Sequence, residues 1–284
     1  MDNATGYLRA HAQWIVDEAL DRAPLRAALL AGSAGRGDAD FYSDLDLLLY
    51  VDEIPPEAVL SEIRKAVAGT DPIPKGERTE HFSGVEFDLK GVRTEVTFFT
   101  VARVEWGLDQ VLEKLDEFDS PVQKALAGVL EGLPLYGEEI IERWQRRLRD
   151  YPEPLRRAMV EKHWNFLPLW YYHEAIAARD AELWRLDILL DGAFNLLGVL
   201  AGLNRLYFTR FELKRMRALT GKMAQAPPRL AERLESLFQL DPESAAEELE
   251  RLVAETRVLV ESEFPDLGLP LRFPVGARQR PWRP

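Results

Sequence analysis

The 284-residue sequence contains no cysteine, which excludes disulfides, zinc–thiolate sites and cysteine nucleophiles and fits a cytoplasmic protein. It also lacks internal repeats, low-complexity tracts and any apolar run that approaches the length of a membrane span. Its first residues, with Asp2 and polar neighbours, do not form the charged-then-apolar pattern of a signal peptide. We therefore expect a cytoplasmic protein with no membrane partner.

Positive charge is also scarce, with 36 Lys and Arg against 48 Asp and Glu and a formal net charge of -12. A protein that neutralises many phosphates is usually basic over its binding face, so the charge argues against long nucleic acid as a partner. An acidic surface instead concentrates cations, including small polyamine-like molecules. The length and the 46% hydrophobic content are those of one large globular domain or two modest ones.

A glycine-rich segment, Gly32–Gly37, is predicted to join two short buried strands at 25–31 and 47–51. Its three glycines allow backbone turns with positive φ and a close approach of main-chain N–H groups to a ligand. Ser33 adds a hydroxyl donor. The pattern is typical of a loop that binds phosphate.

Two carboxylates lie at the mouth of the second strand. Asp44 and Asp46 are two positions apart, so in a strand both point to the same face. Because two like charges side by side repel, a divalent cation that bridges them is the simplest explanation, and magnesium suits such a site.

Arg36 has two interpretations: it pairs with a phosphate oxygen, or it bridges to Asp38 or Asp40 at the surface.

The whole stretch resembles the defining motif of a known family. Gly-Ser, two residues, Arg-Gly, a five-residue gap and Ser-Asp-x-Asp-Leu run without interruption from Gly32 to Leu47. This is similar to the motif of the DNA polymerase β-like nucleotidyltransferase superfamily, particularly minimal nucleotidyltransferases and the enzymes that adenylylate aminoglycosides or lincosamides. The alternative interpretation is a glycine loop followed by a solvated acidic turn.

The resemblance implies both a fold and a chemistry. It implies a polymerase β-like α/β domain with a small mixed sheet, followed by an all-helical C-terminal domain, with the active site between the two. The implied cofactors are two Mg²⁺ ions, with Mn²⁺ as a substitute, and the implied co-substrate is ATP or another nucleoside triphosphate. The nucleotide-binding candidates are Gly32, Ser33, Arg36 and Ser43.

Family members complete the metal site with a third carboxylate on a later strand. Here polar and apolar residues alternate in two segments, 85–89 and 92–99, which flank a predicted two-residue turn at 90–91. This turn sets Asp88 opposite Arg93 and Glu86 opposite Glu95. An opposed glutamate pair requires a cation or exposure to solvent. We favour Glu95 as the third acid over Asp88 or Glu86, because its strand resembles the one that carries this acid in antibiotic nucleotidyltransferases. A surface hairpin with a charged polar face is the alternative.

The remaining chain divides at a predicted boundary near residue 119. We predict helices over 7–22 and from Val59 to near Gly69, and a polar loop over 71–83. From Glu105 onward we predict helices without strands, at 105–117, 121–130, 138–149, 154–179, 181–206, 211–223, 228–237 and 242–264. The predicted domains are 1–118 for nucleotidyl transfer, 119–268 for acceptor binding and 269–284 as a Pro/Arg-rich tail.

Three features of the helical half have a candidate role. Asp187 and Asp191, one helical turn apart, suit a cationic substrate or a general base, or form a solvated acidic edge. Lys214 follows a stretch similar to helical domains appended to this superfamily, in which the later lysine approaches the nucleotide phosphates. Rival cations are Arg210, Arg215 and Arg217. The aromatic segment 163–174 forms either core or the lining of a pocket.

These observations predict a nucleotidyltransferase that moves a nucleoside monophosphate, AMP in the first instance, to a hydroxyl of a small, cationic acceptor. Asp44, Asp46 and Glu95 are its predicted metal ligands, and Asp187 is its candidate proton acceptor. Two alternatives have the same motif: nucleotidylation of a protein or RNA partner, and a nucleotide-binding regulator that has lost catalysis. The sequence does not identify the individual acceptor, the preferred nucleotide base or the oligomeric state.

Overall fold

The computed structural model describes residues 4–118, 121–167 and 179–269. The chain forms two compact units. The first consists of residues 1–117 and 125–151, and the second of 118–124 and 152–284, as far as these are described.

The first unit is built on a six-stranded sheet. Its strands are β1 (Ala27–Leu30), β2 (Leu45–Val51), β3 (Ile73–Pro74), β4 (Phe82–Leu89), β5 (Val92–Thr100) and β6 (Leu133–Tyr136). Their order across the sheet is β3-β4-β5-β2-β1-β6. β2 and β5 run parallel, whereas the other neighbours are antiparallel. The predicted mixed α/β fold with a small mixed sheet is confirmed.

The helices of this unit cover the sheet and connect its strands. They are α1 (Ala4–Leu20), α2 (Gly32–Arg36), α3 (Glu57–Ala66), α4 (Val101–Asp109), α5 (Pro121–Glu131, in this unit from 125 onward) and α6 (Glu138–Arg149), with a π-helical turn at Gln110–Lys114 after α4. α1 and α3 contribute Ile15 and Ile63 to a core with Leu45, Leu47 and Phe98 of the sheet. Because strand side chains alternate, the residues between these core positions lie on the other face.

Strand β6 corrects the prediction that only helices follow Glu105. Leu133–Tyr136 pairs antiparallel with β1 at the edge of the sheet. Its proline is tolerated because an edge strand leaves one row of N–H groups unpaired. The run is only four residues long and its partner lies far upstream, so no local pattern distinguishes it. The chain therefore returns to the first unit after residue 124, unlike the predicted division between 118 and 119. The short β3 likewise lies inside the predicted loop 71–83.

The regular segments described in the second unit are helical, as predicted. They are α7 (Glu153–His163), α8 (Glu182–Leu203), a 3₁₀ helix at Arg210–Arg215, α9 (Met216–Thr220), α10 (Leu230–Ser236) and α11 (Pro242–Glu263). The predicted helix 211–223 is thus a 3₁₀ helix followed by a short α-helix. The predicted helix 154–179 ends at His163, and residues 168–178 of it lie outside the described residues, as do residues 270–284 of the predicted tail.

Helix α8 is long and apolar enough to cross a membrane by length and composition. The expectation that no apolar run approaches a membrane span is wrong for this helix. Most of its apolar stretch is buried, and α8 packs against α7 and α11. The apolar composition is therefore also that of a core helix.

Candidate active site

Two of the three predicted acids are neighbours in the sheet. In the parallel pairing of β2 with β5, Asp46 lies opposite Glu95. The residues on either side of both acids are buried, so Asp46 and Glu95 lie on the face turned away from the core formed with α1 and α3. Asp44 directly precedes β2 and is exposed. Asp46 and Glu95 are therefore neighbours across β2 and β5, and Asp44 precedes them in the chain, just before β2.

The predicted hairpin register is confirmed. β4 and β5 pair with Glu86 opposite Glu95 and Asp88 opposite Arg93. The intervening Lys90 and Gly91 both have positive φ, 53° and 83°, as a tight two-residue turn requires. Asp46, Glu95 and Glu86 consequently form an acidic row across β2, β5 and β4.

This acidic row has its own counter-ions. An Arg93 guanidinium N–H donates to Glu86 at 2.6 Å, and this hydrogen bond lowers the pKa of Glu86. The pKa of Arg93 is raised, first by Glu86 and to a smaller extent by Asp44 and Asp46. The ammonium of Lys75 contacts the Glu95 carboxylate. Sequence reasoning missed the Lys75 contact, because Lys75 lies in the predicted loop and meets Glu95 only through the pairing of β3, β4 and β5.

The donor chemistry of Asp44, Asp46 and Glu95 fits a divalent ion, since Mg²⁺ takes carboxylate oxygens and fills its remaining positions with water and phosphate. Within the described ranges, no group of three His, Cys, Asp or Glu side chains is placed to hold a metal. Glu95 contacts Lys75 instead of completing such a group. The role of the three acids as metal ligands stays a prediction.

The glycine-rich segment forms the short helix α2 in place of an irregular turn. Gly32 has a φ of +64°, and a Cβ atom at this position would lie 2.6 Å from Oδ2 of Asp46. The Ala31 N–H donates to the backbone carbonyl of Asp46 at 2.9 Å. Only glycine avoids both the strained φ and this contact, so the first residue of the motif packs directly against its last acid.

Helix α2 is held from outside by Arg9 of α1. The guanidinium donates to the carbonyls of Ala34 and Gly35, both at 3.0 Å. These are carbonyls at the C-terminal end of a five-residue helix, where intrahelical donors are lacking. Sequence reasoning did not identify Arg9, because its partners lie 25 and 26 residues further along the chain and leave no local signal.

Arg36 and Ser43, the other nucleotide-binding candidates of the motif, have internal partners. Arg36 lies 3.3 Å from a carboxylate oxygen of Asp38 and 3.8 Å from one of Glu131, which is the surface-bridge interpretation. The Ser43 hydroxyl donates to the Asp40 side chain at 3.1 Å and accepts from the Asp40 N–H at 3.0 Å. Their roles in nucleotide binding stay predictions.

The remaining candidates lie in the second unit. Asp187 is exposed on α8, and Asp191, one turn later, lies 3.6 Å from Arg210. Lys214 is in the 3₁₀ helix, with its ammonium 5.9 Å from the centre of the Phe211 ring. The roles of Asp187 as a base and of Lys214 as a phosphate ligand stay predictions.

A cavity of about 610 Å³ opens at the opposite end of β2 and β5 from the acids. It is lined by Asp52, Glu53, Ile54, Arg78, Thr79, Glu80, His81, Thr100 and Ala102. His81, predicted as a loop residue, has a ring nitrogen 3.0 Å from the Thr100 hydroxyl. None of the motif residues lines this cavity.

No family model and no curated protein matches the sequence. Among solved structures, the chain is similar to a nucleotidyltransferase-like protein from Exiguobacterium sibiricum 255-15, with 13% identity and a TM-score of 0.32. The match covers 88% of this chain and 74% of that chain. A TM-score of this size supports no argument about activity.

Proposed function

We propose that this protein is a metal-dependent nucleotidyltransferase. It moves a nucleoside monophosphate, AMP in the first instance, from a nucleoside triphosphate to an acceptor hydroxyl and releases pyrophosphate. The observation that carries the proposal is the parallel register that sets Asp46 beside Glu95, with Asp44 two residues before and Gly32 against the Asp46 carboxylate. Divalent ions held by these acids, Mg²⁺ or Mn²⁺, would neutralise charge on the attacking and leaving oxygens.

The glycine-rich segment suits the triphosphate. The first turn of a helix has N–H groups without intrahelical acceptors, and in α2 these belong to Gly32 and Ser33. In the proposal they bind the β- and γ-phosphates, with Arg36 and Ser43 as further nucleotide ligands. The acceptor oxygen then forms a bond to the α-phosphorus, the bond from the α-phosphorus to the bridging oxygen breaks and pyrophosphate leaves. Asp187 is the proposed acceptor of the hydroxyl proton. Lys214 is proposed as a further phosphate ligand.

The acceptor is proposed to be a small cationic molecule. The net charge of -12 favours accumulation of cations at the surface. The motif resemblance suggests an aminoglycoside or a lincosamide as the class to test first.

The proposal is tested by measuring pyrophosphate release from each of the four nucleoside triphosphates with Mg²⁺ or Mn²⁺. Each is assayed against a panel of aminoglycosides and lincosamides. Release is expected with one acceptor class, and it should vanish when both Asp44 and Asp46 are changed to Asn. Asp52→Asn, an exposed carboxylate just beyond the far end of β2, is the matched control and should retain activity.

Full activity of the double Asp44→Asn/Asp46→Asn variant would overturn the proposal. Tight nucleotide binding without pyrophosphate release from any acceptor would favour a nucleotide-binding regulator instead.

A second candidate function, transfer to a protein or RNA partner, is favoured by two exposed aromatic side chains. Phe41 and Tyr42, between the glycine segment and Asp44, are 85% and 99% exposed. Aromatic side chains are enriched at protein interfaces, so this adjacent exposed pair is suited to contact a partner. Mass spectrometry of candidate proteins and RNAs after incubation with ATP would detect the modification, and a Phe41→Ser/Tyr42→Ser variant should reduce macromolecular but not small-molecule transfer.

A further inference from the structure

Lys75 reaches the acidic row from the edge of the sheet. It follows the edge strand β3, and its N–H donates to the Gly84 carbonyl of β4 at 3.0 Å. On the same face Gly84 lies between Lys75 and Thr97 of β5. A Cβ on Gly84 would lie 3.4 Å from the Lys75 Cβ and 3.1 Å from the Thr97 hydroxyl. The missing side chain thus leaves a path for Lys75 across β4 to Glu95.

The acids of the row need positive charge when no metal is bound. The Glu95 side chain is only 19% exposed and has Asp46 on one side and Glu86 on the other. Partial burial and like charges both disfavour an ionised carboxylate. Arg93 neutralises Glu86, and Lys75 neutralises Glu95. Each of the two glutamates therefore contacts one cation.

We propose that Lys75 is an internal counter-ion that competes with a divalent ion for Glu95. Lys75 stabilises the acidic row in the metal-free protein, and it has to leave Glu95 before this carboxylate becomes a metal ligand. Its contact with Glu95 thereby lowers the affinity of the site for the metal. This inference rests on the proposed function only in requiring that the acids bind a divalent ion.

The competition is tested by Mn²⁺ titration followed by electron paramagnetic resonance, in which free Mn²⁺ gives the signal and bound Mn²⁺ does not. Lys75→Gln is expected to bind Mn²⁺ about tenfold more tightly than the unmodified protein, because an adjacent cation no longer opposes the ion. Lys75→Arg keeps the charge and should keep the original affinity. Lys90→Gln, the same change on the hairpin turn, is the matched control, since Lys90 lies over the Trp14 ring.

A double-variant comparison assigns the effect to Glu95. When Glu95→Gln is already present, adding Lys75→Gln should no longer raise the Mn²⁺ affinity beyond what Lys90→Gln does. A second readout does not use affinity: reductive methylation of Lys75, followed by mass spectrometry, should become faster when Mg²⁺ is added. The methylation rate of Lys90 should not change.

The outcomes separate this inference from the proposed function. Suppose that the unmodified protein binds Mn²⁺ and that Asp46→Asn abolishes this binding. If Lys75→Gln then changes the Mn²⁺ affinity no more than Lys90→Gln does, the inference is overturned and the proposed function stands. If Lys75→Gln tightens Mn²⁺ binding but no acceptor supports pyrophosphate release, the inference stands without the proposed function. If no variant shows Asp46-dependent Mn²⁺ binding, both are overturned.

Discussion

At the scale of single residues, Gly32 packs directly against the Asp46 carboxylate. Gly32 combines a φ of +64° with a position where a Cβ atom would meet the carboxylate. The two residues lie 14 positions apart in sequence but touch because β1 and β2 are adjacent antiparallel strands. The position of the Asp46 carboxylate therefore depends on the absence of a side chain at residue 32.

We expect Gly32→Ala to destabilise the fold and displace Asp46. The alanine adds backbone strain of about 1–2 kcal/mol at positive φ and also pushes on the carboxylate. Gly91→Ala is the matched control, since Gly91 has a φ of +83° and a Cβ there would meet no atom within 4 Å, so the alanine adds strain alone. Urea unfolding measures the free energy of unfolding, and Mn²⁺ titration measures the displacement. If Gly32→Ala and Gly91→Ala lost equal stability and equal Mn²⁺ affinity, Gly32 would not determine the position of the Asp46 carboxylate.

The contiguous motif and the period of a strand predict Asp44 and Asp46 as a pair, because both signals are local. Lys75 and Arg9 had no such signal. Lys75 meets Glu95 only after two antiparallel pairings, and Arg9 meets α2 only when α1 packs beside it. Charged side chains that act through tertiary contacts leave little trace in a single sequence.

At the scale of elements, the register of the β4–β5 hairpin was predictable and the position of β6 was not. A two-residue turn fixes which residues lie opposite each other, so the sequence around residues 90 and 91 determines the Glu86–Glu95 pair. β6 pairs with a strand that is distant in sequence, and its four residues show no alternation of polar and apolar side chains. Local turn chemistry determines the first pairing, whereas the whole fold determines the second.

Helix α2 should depend on α1 through Arg9. Replacing Arg9 with Gln removes two charge-assisted hydrogen bonds to the Ala34 and Gly35 carbonyls, and we expect the α2 amides to exchange hydrogen about tenfold faster. Arg22→Gln is the matched control. It also removes a partly buried arginine, but the hydrogen bonds of Arg22 go to Glu18 of α1 and not to α2. Hydrogen exchange measured by mass spectrometry should show faster α2 exchange in the first variant and not in the second. Unchanged exchange in both would show that Arg9 does not hold α2.

The helical unit has a buried guanidinium that joins three helices. Arg156 of α7 is 4% exposed and donates to Glu263 of α11 at 2.7 Å, to Glu153 at 2.9 Å and to the Leu203 carbonyl at 3.1 Å. The hydrogen bond from Arg156 lowers the pKa of Glu263 from its ordinary value. When the pKa of a carboxyl group is lower in the folded than in the unfolded protein, its ionised form stabilises the fold. This stabilisation is complete at a pH above the unfolded-state pKa, and it is lost as the pH falls through the folded-state pKa.

We therefore expect Glu263→Gln to cost about 1–3 kcal/mol of unfolding free energy at pH 7, less than for a fully buried pair because Glu263 is 34% exposed. The difference from the unmodified protein should shrink as the pH falls below about 4, the ordinary range of a glutamate pKa. Glu261→Gln, an exposed partner of Arg257 on the same helix, should change stability little. Urea unfolding from pH 7 to pH 3 tests both. A cost of Glu263→Gln that is independent of pH would contradict the ion-pair explanation.

At the scale of the whole molecule, charge and hydropathy point to different kinds of partner. The net charge of -12 favours cations, whereas α8 has the composition of a membrane-spanning helix. In the described residues most apolar side chains of α8 are buried and the helix packs against α7 and α11, whereas Leu183 and Trp184 at its N-terminal end are exposed. Packing therefore explains most of the hydropathy of α8, and the surface charge is a separate property that acts on partners.

The charge leads to a prediction that also separates the two acceptor classes. Nucleic acid binds mainly through phosphate neutralisation by Lys and Arg, and an acidic protein repels it. We expect a fluorescently labelled single-stranded RNA to show no saturable binding up to about 100 μM protein at physiological salt, the weak end of ordinary non-specific affinity. A fluorescent ATP analogue with Mg²⁺, measured in the same anisotropy assay, should bind and thereby show that the protein is intact. Micromolar RNA binding that weakens steeply with salt would reveal a local basic surface that the net charge conceals, and it would move the acceptor from a small cation to RNA.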